Sequence, residues 1–286
     1  MHERLVLLLG SMDINPLSIS PVSGGDINDG YRVSTERGQD FFVKINRKSR
    51  SKSIITAEAK GLEMMKASGV ENIPANFRIA ENETDACLVM PYFVSSNPPS
   101  SSDWVVFFEN LARMHLISNE TFGGHDNYIG LLPQVNSMRN NWVPFFRENR
   151  LIPQIERALD VGYLSMEDEK SWIRLAQNLS NLMPIERPAL VHGDLWSGNI
   201  LRADEGVLMI DPCPYYGHRE MDFAMMELFS GVPVREHLTA YENLYPLEKR
   251  LPERLEIYQL YYLLVHLNMF GTAYLPAVRR IIGKFG

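Results

Sequence analysis

The sequence has 286 residues, 45% of them hydrophobic and 22% charged, a composition typical of a globular protein with one large domain or two lobes. Its 35 acidic and 28 basic residues give a net charge of −7, which disfavours sequence-independent nucleic-acid binding because such binding relies on Lys and Arg. Two cysteines, Cys87 and Cys213, are too few for a disulfide framework or a zinc site and are typical of a reduced, cytoplasmic protein. No run reaches the ~18 apolar residues that a membrane span needs.

The first 45 residues predict a helix and then a small sheet. Residues 1–20 are expected to form a helix that ends in a turn at Asn15-Pro16. A glycine-rich stretch over 24–33 predicts a strand–loop–strand hairpin, and Phe-Phe-Val-Lys-Ile at 41–45 predicts a further strand.

A glycine-rich hairpin before a strand with a central lysine is typical of the phosphate-binding part of a kinase. Backbone amides at Gly24 and Gly25 can approach phosphate oxygens closely, and Lys44 can bind the α- and β-phosphates of ATP as a point charge. The loop is neither Gly-x-Gly-x-x-Gly nor a Walker A motif, so a plain turn and a solvated lysine are the alternatives.

Residues 54–68 have apolar positions at helical spacing and predict a helix that carries Glu58 near its start. A glutamate there can pair with Lys44 and hold it at the phosphates, and a surface glutamate is the alternative. Strands are expected at 76–80 and 86–90.

The second of these strands leads into an extended segment that suits an inter-lobe hinge. Its residues are Met90, Pro91, Tyr92 and Phe93. Hinge backbone groups can bind an adenine edge, and Tyr92 or Phe93 must donate because Pro91 has no N–H. The boundary of the N-terminal lobe is expected near residue 94, which gives lobes of 1–94 and 95–286.

Beyond the Pro- and Ser-rich connector the pattern becomes helical. Helices are predicted at about 102–116, 141–161, 166–183, 220–230, 234–245 and 252–270. His115 ends an apolar stripe and is expected to be a packed or capping histidine rather than a catalytic one. The aromatic stripe Tyr258, Tyr261, Tyr262, His266 and Phe270 is also assigned to the core, with a cleft-lining role for some members as the alternative.

Residues 190–211 carry the strongest chemical signal. The spacing Asp194-x-x-x-x-Asn199 is that of a kinase catalytic loop, and a short hairpin leads from it to Asp211. Asn199 and Asp211 offer the hard oxygen ligands that Mg²⁺ prefers. Asp194 would stay off the metal and accept a proton from the attacking hydroxyl. A turn with a strand-end cap is the alternative interpretation.

The assembled motifs resemble those of the fructosamine kinase (ketosamine kinase) family, within the wider group of aminoglycoside- and choline-kinase-like folds. The resemblance covers nearly the whole chain and rests on several segments. They are 23–28, 42–46, 58–62, 122–136, 145–151, 191–199, 210–212 and 215–220.

The resemblance implies an α+β, two-lobed, protein-kinase-like fold with a small antiparallel-sheet lobe and a larger helical lobe. It also implies ATP-dependent, Mg²⁺-dependent phosphorylation of a sugar hydroxyl, the 3-hydroxyl of a ketosamine, as a step in deglycation. The acceptor is then a small ketosamine or a glycated protein lysine, with neither nucleic acid nor a membrane as partner and with monomer and dimer both open.

The resemblance further implies roles for residues that spacing alone does not assign. Trp196, Tyr215, His218 and Asp126 would contact the substrate. His192 and Asp222 would be structural, with Asp222 bracing the catalytic loop. Departures from relatives include Asp26, where some have a cysteine, the hinge sequence Met-Pro-Tyr at 90–92, where acidic residues are common, and Met138, where a tryptophan is usual.

Two other functions compete with this interpretation. One is a kinase of an aminoglycoside or another amino alcohol on the same fold, which the 122–136 loop and the Tyr-Tyr-Gly-His segment at 215–218 disfavour. The other is a non-catalytic nucleotide-binding module, which the presence of Lys44 and Glu58 together with the three catalytic-loop residues disfavours.

Overall fold

A computed structural model describes residues 2–22, 29–45, 51–94, 98–204 and 206–286. The chain has an α+β fold and forms two compact units, residues 1–107 with 198–213 and residues 108–197 with 214–286. The division falls within a helix, Ser101–Leu116 (α3), and the predicted boundary near residue 94 precedes it. Among the described residues, no helix has the length and apolar character needed to cross a membrane.

The first unit is built on a five-stranded antiparallel sheet. Its elements in chain order are α1 (His2–Gly10), β1 (Pro16–Val22), β2 (Asp29–Thr35), β3 (Asp40–Ile45), α2 (Ser51–Ala67), β4 (Arg78–Glu81) and β5 (Ala86–Pro91). The strand order is β1-β2-β3-β5-β4. The predicted helix over 54–68 and the strand over 41–45 are confirmed. The helix predicted within 1–20 ends at Gly10, and an additional strand follows it after Asn15.

The two faces of β3 have different roles. Val43 and Ile45 belong to a core cluster with Leu5 and Leu8 of α1. Because side chains alternate along a strand, Lys44 points to the opposite face. Its backbone pairs with Gly30 on one side and Leu88 on the other, in the middle of the sheet. A lysine at this position is therefore buried rather than solvated.

A two-stranded hairpin from later in the chain completes the first unit. It consists of β9 (Ile200–Ala203) and β10 (Gly206–Met209), with Met209 opposite Ile200. The Met209 N–H donates to the Asn72 carbonyl at 2.8 Å, which ties the hairpin to the segment after α2.

The second unit is mainly helical. Its elements are β6 (Asn127–Ile129), β7 (Leu132–Gln134), α4 (Trp142–Phe145), a π-helical segment (Phe146–Leu151), α5 (Ile152–Asp160), α6 (Met166–Leu182), β8 (Ala189–Val191), β11 (Tyr215–Gly217), α7 (Glu220–Leu228), α8 (Val234–Glu242), α9 (Leu251–Phe270) and α10 (Leu275–Phe285). Helix α9 is mostly apolar and is buried along most of its length.

The helix predicted over 141–161 contains the wider π-helical turn. Pro153 has no N–H to give to the Asn149 carbonyl, and Arg150 Nη1 donates to that carbonyl instead at 3.1 Å. The same guanidinium donates to Asn136 Oδ1 at 2.6 Å and to the Val135 carbonyl at 3.0 Å. Arg150, which is fully buried, thus anchors the end of the 122–136 loop.

Strand β8 leads directly into the predicted catalytic loop, and its partner β11 fixes its position. The antiparallel pairing sets Val191 opposite Tyr215. Gly123 joins the same region by exchanging backbone hydrogen bonds with Tyr216 at 2.8 and 2.9 Å. A Cβ on Gly123 would lie 2.5 Å from the Asn136 carbonyl oxygen, so only glycine fits there.

Candidate active site

In the first unit, Lys44 is shared between two carboxylates. Its Nζ lies 2.8 Å from Glu58 Oε2 and 2.7 Å from Asp211 Oδ2. Lys44 and Glu58 are buried, whereas the Asp211 side chain is about one-third exposed, at 35%. The structure therefore brings together three of the predicted site residues, from β3, α2 and the end of the hairpin.

Burial and the neighbouring charges shift the pKa values of Lys44 and Glu58. Burial lowers the pKa of Lys44, but the adjacent Asp211 and Glu58 carboxylates outweigh burial and raise that pKa above its usual value. Burial raises the pKa of Glu58, and Lys44 only partly opposes this because Asp211 adds a second negative charge nearby. Lys44 is thus a buried cation with a carboxylate partner on each side.

Asn199 and Asp211 lie at the same end of the β9–β10 hairpin. The Ile210 N–H donates to the Asn199 carbonyl at 2.9 Å, which continues the strand pairing by one step. Asp211 has φ of 56°, a left-handed conformation that few non-glycine residues adopt and that Asp tolerates better than most.

This pair fits a divalent cation that also binds phosphates and water. An amide oxygen and a carboxylate are hard donors, and Mg²⁺ usually takes only one or two protein carboxylates, with its other ligands from water and substrate phosphates. Among the described residues, no group of three or more His, Cys, Asp or Glu side chains is placed to hold a metal.

The predicted nucleotide-contacting backbone is only partly within the described ranges. Gly24 and Gly25 lie outside the described residues. Met90 and Pro91 end β5, and the Tyr92 N–H donates to the Asp40 carbonyl at 3.0 Å. Of the two donors expected there, Tyr92 is therefore used by the protein, and Phe93 is left as the candidate for a purine edge.

In the second unit, the loop that carries Asp194 is held by a buried carboxylate. Asp222 Oδ2 accepts the His192 N–H at 2.8 Å, and Oδ1 accepts the Gly193 N–H at 2.9 Å. His192 and Asp222 are fully buried, and Asp194 itself is half-buried. The predicted structural residues thus hold the backbone directly before the predicted base.

Two further buried residues, His115 and Tyr241, lie behind Asp222. His115 Nε2 is 3.1 Å from Asp222 Oδ2, and His115 Nδ1 is 2.9 Å from the Tyr241 hydroxyl. His115 ends α3 on an apolar stripe, and its prediction as a packed histidine is confirmed by its full burial. The sequence pattern does not distinguish Tyr241, because a tyrosine at helical spacing on α8 carries no specific signal.

Trp196 begins a chain of aromatic rings that continues onto α9. Its ring packs edge-to-face on Phe229 at 6.0 Å, and Phe229 lies 4.8 Å from His266. All three residues are half-buried. Burial lowers the pKa of His266, and its Nδ1–H donates to the Tyr262 carbonyl at 2.8 Å, which leaves Nε2 as the acceptor nitrogen.

Two of the predicted substrate residues lie in the core. Tyr215 is fully buried, with the Arg150 guanidinium 4.0 Å above its ring. His218 is also fully buried and stacks on Tyr258 at 5.3 Å. Their burial argues against direct contact with a substrate. Asp126 is exposed, and its Oδ1 accepts the Asn136 N–H at 2.7 Å, which closes the 122–136 loop on itself.

Comparison with known proteins gives a family match over nearly the whole chain. The fructosamine kinase family matches residues 9–285. A probable ketoamine kinase from Enterococcus faecium is 36% identical over 271 residues, which cover 93% of this chain and 95% of that protein. One from Lactiplantibacillus plantarum is 34% identical, covering 93% of this chain and 94% of that protein.

Solved structures show the same relationship. A crystal structure from Thermobifida fusca, assigned as a fructosamine-3-kinase, has a TM-score of 0.85 and 32% identity, covering 98% of this chain and 96% of that one. A spectinomycin phosphotransferase in complex with ADP and spectinomycin has a TM-score of 0.59 and 14% identity, covering 99% and 93%, and this likeness shows the fold alone. The fold is thus that of the protein-kinase-like phosphotransferases, and the chain belongs to the fructosamine kinase family of ATP-dependent kinases.

Proposed function

We propose that this chain transfers the γ-phosphoryl group of ATP to the 3-hydroxyl of a ketosamine, which marks the glycated amine for deglycation. The observation that carries the proposal is the sharing of buried Lys44 between Glu58 and Asp211. A buried cation between two carboxylates has no stabilising advantage over an apolar core, because desolvation of the charges is costly. The arrangement is well suited to binding polyphosphate and a metal.

The proposed roles in the first unit follow from charge. Lys44 would bind the α- and β-phosphates, and Glu58 would hold its ammonium group in place. Asn199 and Asp211 would hold Mg²⁺, which when bound offsets the negative charge of the phosphates. Lys44 would then face phosphate oxygens as well as Asp211. The negative charges of the phosphates and of Asp211 would be distributed over two cations, Lys44 and Mg²⁺.

Asp194 is the proposed base. It would accept the proton of the attacking sugar hydroxyl as the phosphoryl group moves in line to that oxygen. The contribution of the protein is mainly positioning, and the backbone hydrogen bonds from His192 and Gly193 to Asp222 support this role by restricting the loop.

The proposed acceptor surface is the ring chain of Trp196, Phe229 and His266. A ketosamine contains a secondary amine that is cationic at neutral pH, and accessible aromatic faces attract such a cation. His266 Nε2 can accept a hydrogen bond from the amine or a hydroxyl. Because Tyr215 and His218 are buried, we omit them from this surface.

The test is an acceptor panel with Mg-ATP, in which ADP formation is measured with fructose-lysine, ribulose-lysine, kanamycin and choline. We expect turnover with the ketosamines alone and ³¹P NMR of the product to place the ester on O3. Phosphorylation of kanamycin or choline instead would overturn the proposed acceptor. Nucleotide binding without turnover on any acceptor would favour a binding module.

A further inference from the structure

The peptide bond that joins Gly193 to Asp194 is held at both of its polar atoms. Its carbonyl, from Gly193, accepts a hydrogen bond from the Tyr262 hydroxyl at 3.0 Å. Its N–H, from Asp194, faces His192 Nδ1 at 3.3 Å. Rotation of this peptide would change the direction of the Asp194 side chain. Such a rotation would have to break both of these hydrogen bonds.

The backbone on the other side of Gly193 is held too, but by a different group. Asp222 accepts the His192 and Gly193 N–H groups and thus fixes the peptides that precede Gly193. Gly193 has φ of 85°, a conformation that glycine adopts without strain, and its lack of a Cβ allows more backbone conformations than other residues have. Without a contact at its carbonyl, the Asp222 brace alone would not define the orientation of the next peptide.

Tyr262 is well placed to supply a rigid contact. It lies on α9, is fully buried, and comes from a helix that is buried along most of its length. Its own carbonyl accepts the Nδ1–H of His266, one turn further along α9. The same helix therefore supports the loop before Asp194 and carries a ring of the proposed acceptor surface.

We propose that Tyr262 is a positioning residue for phosphoryl transfer: its hydroxyl sets the orientation of the Gly193–Asp194 peptide and, through it, that of the Asp194 carboxylate. This inference rests on the proposed role of Asp194 as base. It assigns Tyr262 an effect on turnover that its burial in an apolar helix would not by itself predict.

The chain offers a matched control in the neighbouring tyrosine. Tyr261 is also buried, and its hydroxyl also donates to a neutral acceptor, Gln134 Oε1, at 2.7 Å. Tyr262→Phe and Tyr261→Phe each remove the hydroxyl oxygen and the buried hydrogen bond that it donates. Their costs to folding should be similar, and only Tyr262→Phe should affect the loop.

The first experiment measures amide hydrogen exchange by mass spectrometry on the two folded variants, with thermal melting as the check on folding. We expect residues 192–196 to exchange faster in Tyr262→Phe and at the wild-type rate in Tyr261→Phe. Unchanged exchange in Tyr262→Phe, or the same increase in both variants, would overturn the inference. This measurement does not require an acceptor. It therefore tests whether the contact between Tyr262 and Gly193 holds the loop even if the wild type phosphorylates no ketosamine and the proposed function fails.

The second experiment measures steady-state kinetics with Mg-ATP and fructose-lysine. For Tyr262→Phe we expect kcat to fall about ten- to a hundredfold, with KM for ATP within about twofold of wild type, because small misplacements of a reacting group reduce turnover steeply. Replacing Tyr262 by 4-aminophenylalanine, which keeps a donor at the ring end, should restore most of kcat. Wild-type kcat in Tyr262→Phe, or no rescue by the amino analogue, would overturn the inference.

A double-mutant cycle separates positioning from general structural damage. If Tyr262 acts through Asp194, adding Tyr262→Phe to Asp194→Asn should lower residual turnover by less than about twofold, because residues that act as a unit are non-additive. A full additional loss would show that Tyr262 acts independently of Asp194 and would contradict the inference.

Discussion

Lys44 Nζ lies 2.7 Å from Asp211 Oδ2, so a lysine in the middle of the N-terminal sheet and an aspartate from a hairpin late in the chain form one ion pair. The pair links the proposed phosphate-binding group to the proposed metal ligand within one compact unit. Loss of the Asp211 charge should therefore affect nucleotide binding mainly when a metal is present.

Asp211→Asn tests this link. Asn tolerates the left-handed backbone at this position, so the fold should survive. We expect affinity for ATP in the presence of Mg²⁺ to fall at least about tenfold, as a charged metal ligand is lost. Affinity without Mg²⁺ should change little, as measured by isothermal titration calorimetry.

The control is Asp204→Asn, which removes the same charge from the exposed turn of the same hairpin. It should bind Mg-ATP like the wild type. Equal weakening in both variants, or unchanged affinity in Asp211→Asn, would contradict the assignment of Asp211 as a metal ligand.

Asp222→Asn tests the loop brace. An asparagine amide has only one acceptor oxygen, so its NH₂ group would face one of the two backbone N–H groups that Asp222 now accepts. We expect a loss of about 3 kcal/mol in the free energy of unfolding, from a buried donor left without a partner. Urea denaturation measures it, and turnover of the folded fraction should fall as well.

The control on the same helix is Glu227→Gln, where the side chain is only partly buried and its ion pair with Arg235 is 3.8 Å long. Its free energy of unfolding should stay within about 0.5 kcal/mol of wild type. If Asp222→Asn were equally mild, Asp222 would not be bracing the loop.

Much of this arrangement could be predicted from the sequence because it follows short-range patterns. Alternation along β3 and helical spacing along α2 are local features, and both the strand and the helix with Glu58 are confirmed. The Asp194, Asn199 and Asp211 motif is also local, and its residues lie in a loop, a short turn and a hairpin end.

What could not be predicted depends on side-chain direction and distant packing. Tyr215 and Tyr216 are adjacent in a motif, but β11 points Tyr215 into the core and leaves Tyr216 half-buried. His218 turns inward onto Tyr258 of α9. The contact of Tyr262 with Gly193 likewise joins residues far apart in the chain, so nothing in the local pattern distinguishes Tyr262 from its buried neighbours.

The ion pair between Glu186 and Arg219 predicts a specific dependence of stability on pH. Two hydrogen bonds of 2.7 Å join the side chains, which are 9% and 3% exposed. Burial raises the pKa of Glu186, but the Arg219 guanidinium outweighs this and holds that pKa below its usual value. The stabilisation is therefore fully present above the unfolded-state pKa of about 4.3 and is lost as the pH falls through the lower folded-state pKa.

Glu186→Gln should reveal this dependence in urea unfolding measured from pH 7 to pH 3. At pH 7 we expect the variant to be less stable by about 3 kcal/mol, because Arg219 is left buried without its carboxylate. The difference from wild type should shrink below about pH 4.3, because the unfolded wild type gains a proton on Glu186 there and the folded protein does so only at a lower pH. A difference that stays constant over the whole range would count against the ion pair.

Trp196 tests the acceptor surface. Trp196→Leu removes the aromatic face, and the loss of a cation–π contact of about 1 kcal/mol should raise KM for a ketosamine about fivefold. Trp196→Phe, which keeps an aromatic ring, should have a smaller effect. KM for ATP should be unchanged in both, and an equal rise in KM for ATP would place Trp196 outside the acceptor surface.

The role of Asp194 as general base is tested most directly by comparing wild type with Asp194→Asn in two measurements on the same preparations: phosphoryl transfer to fructose-lysine and affinity for Mg-ATP. We expect the variant to bind Mg-ATP within about threefold of wild type and to transfer phosphoryl groups about a hundred- to ten-thousandfold more slowly, because only the general base is lost. Near-normal transfer by Asp194→Asn would contradict the assignment of Asp194 as the base.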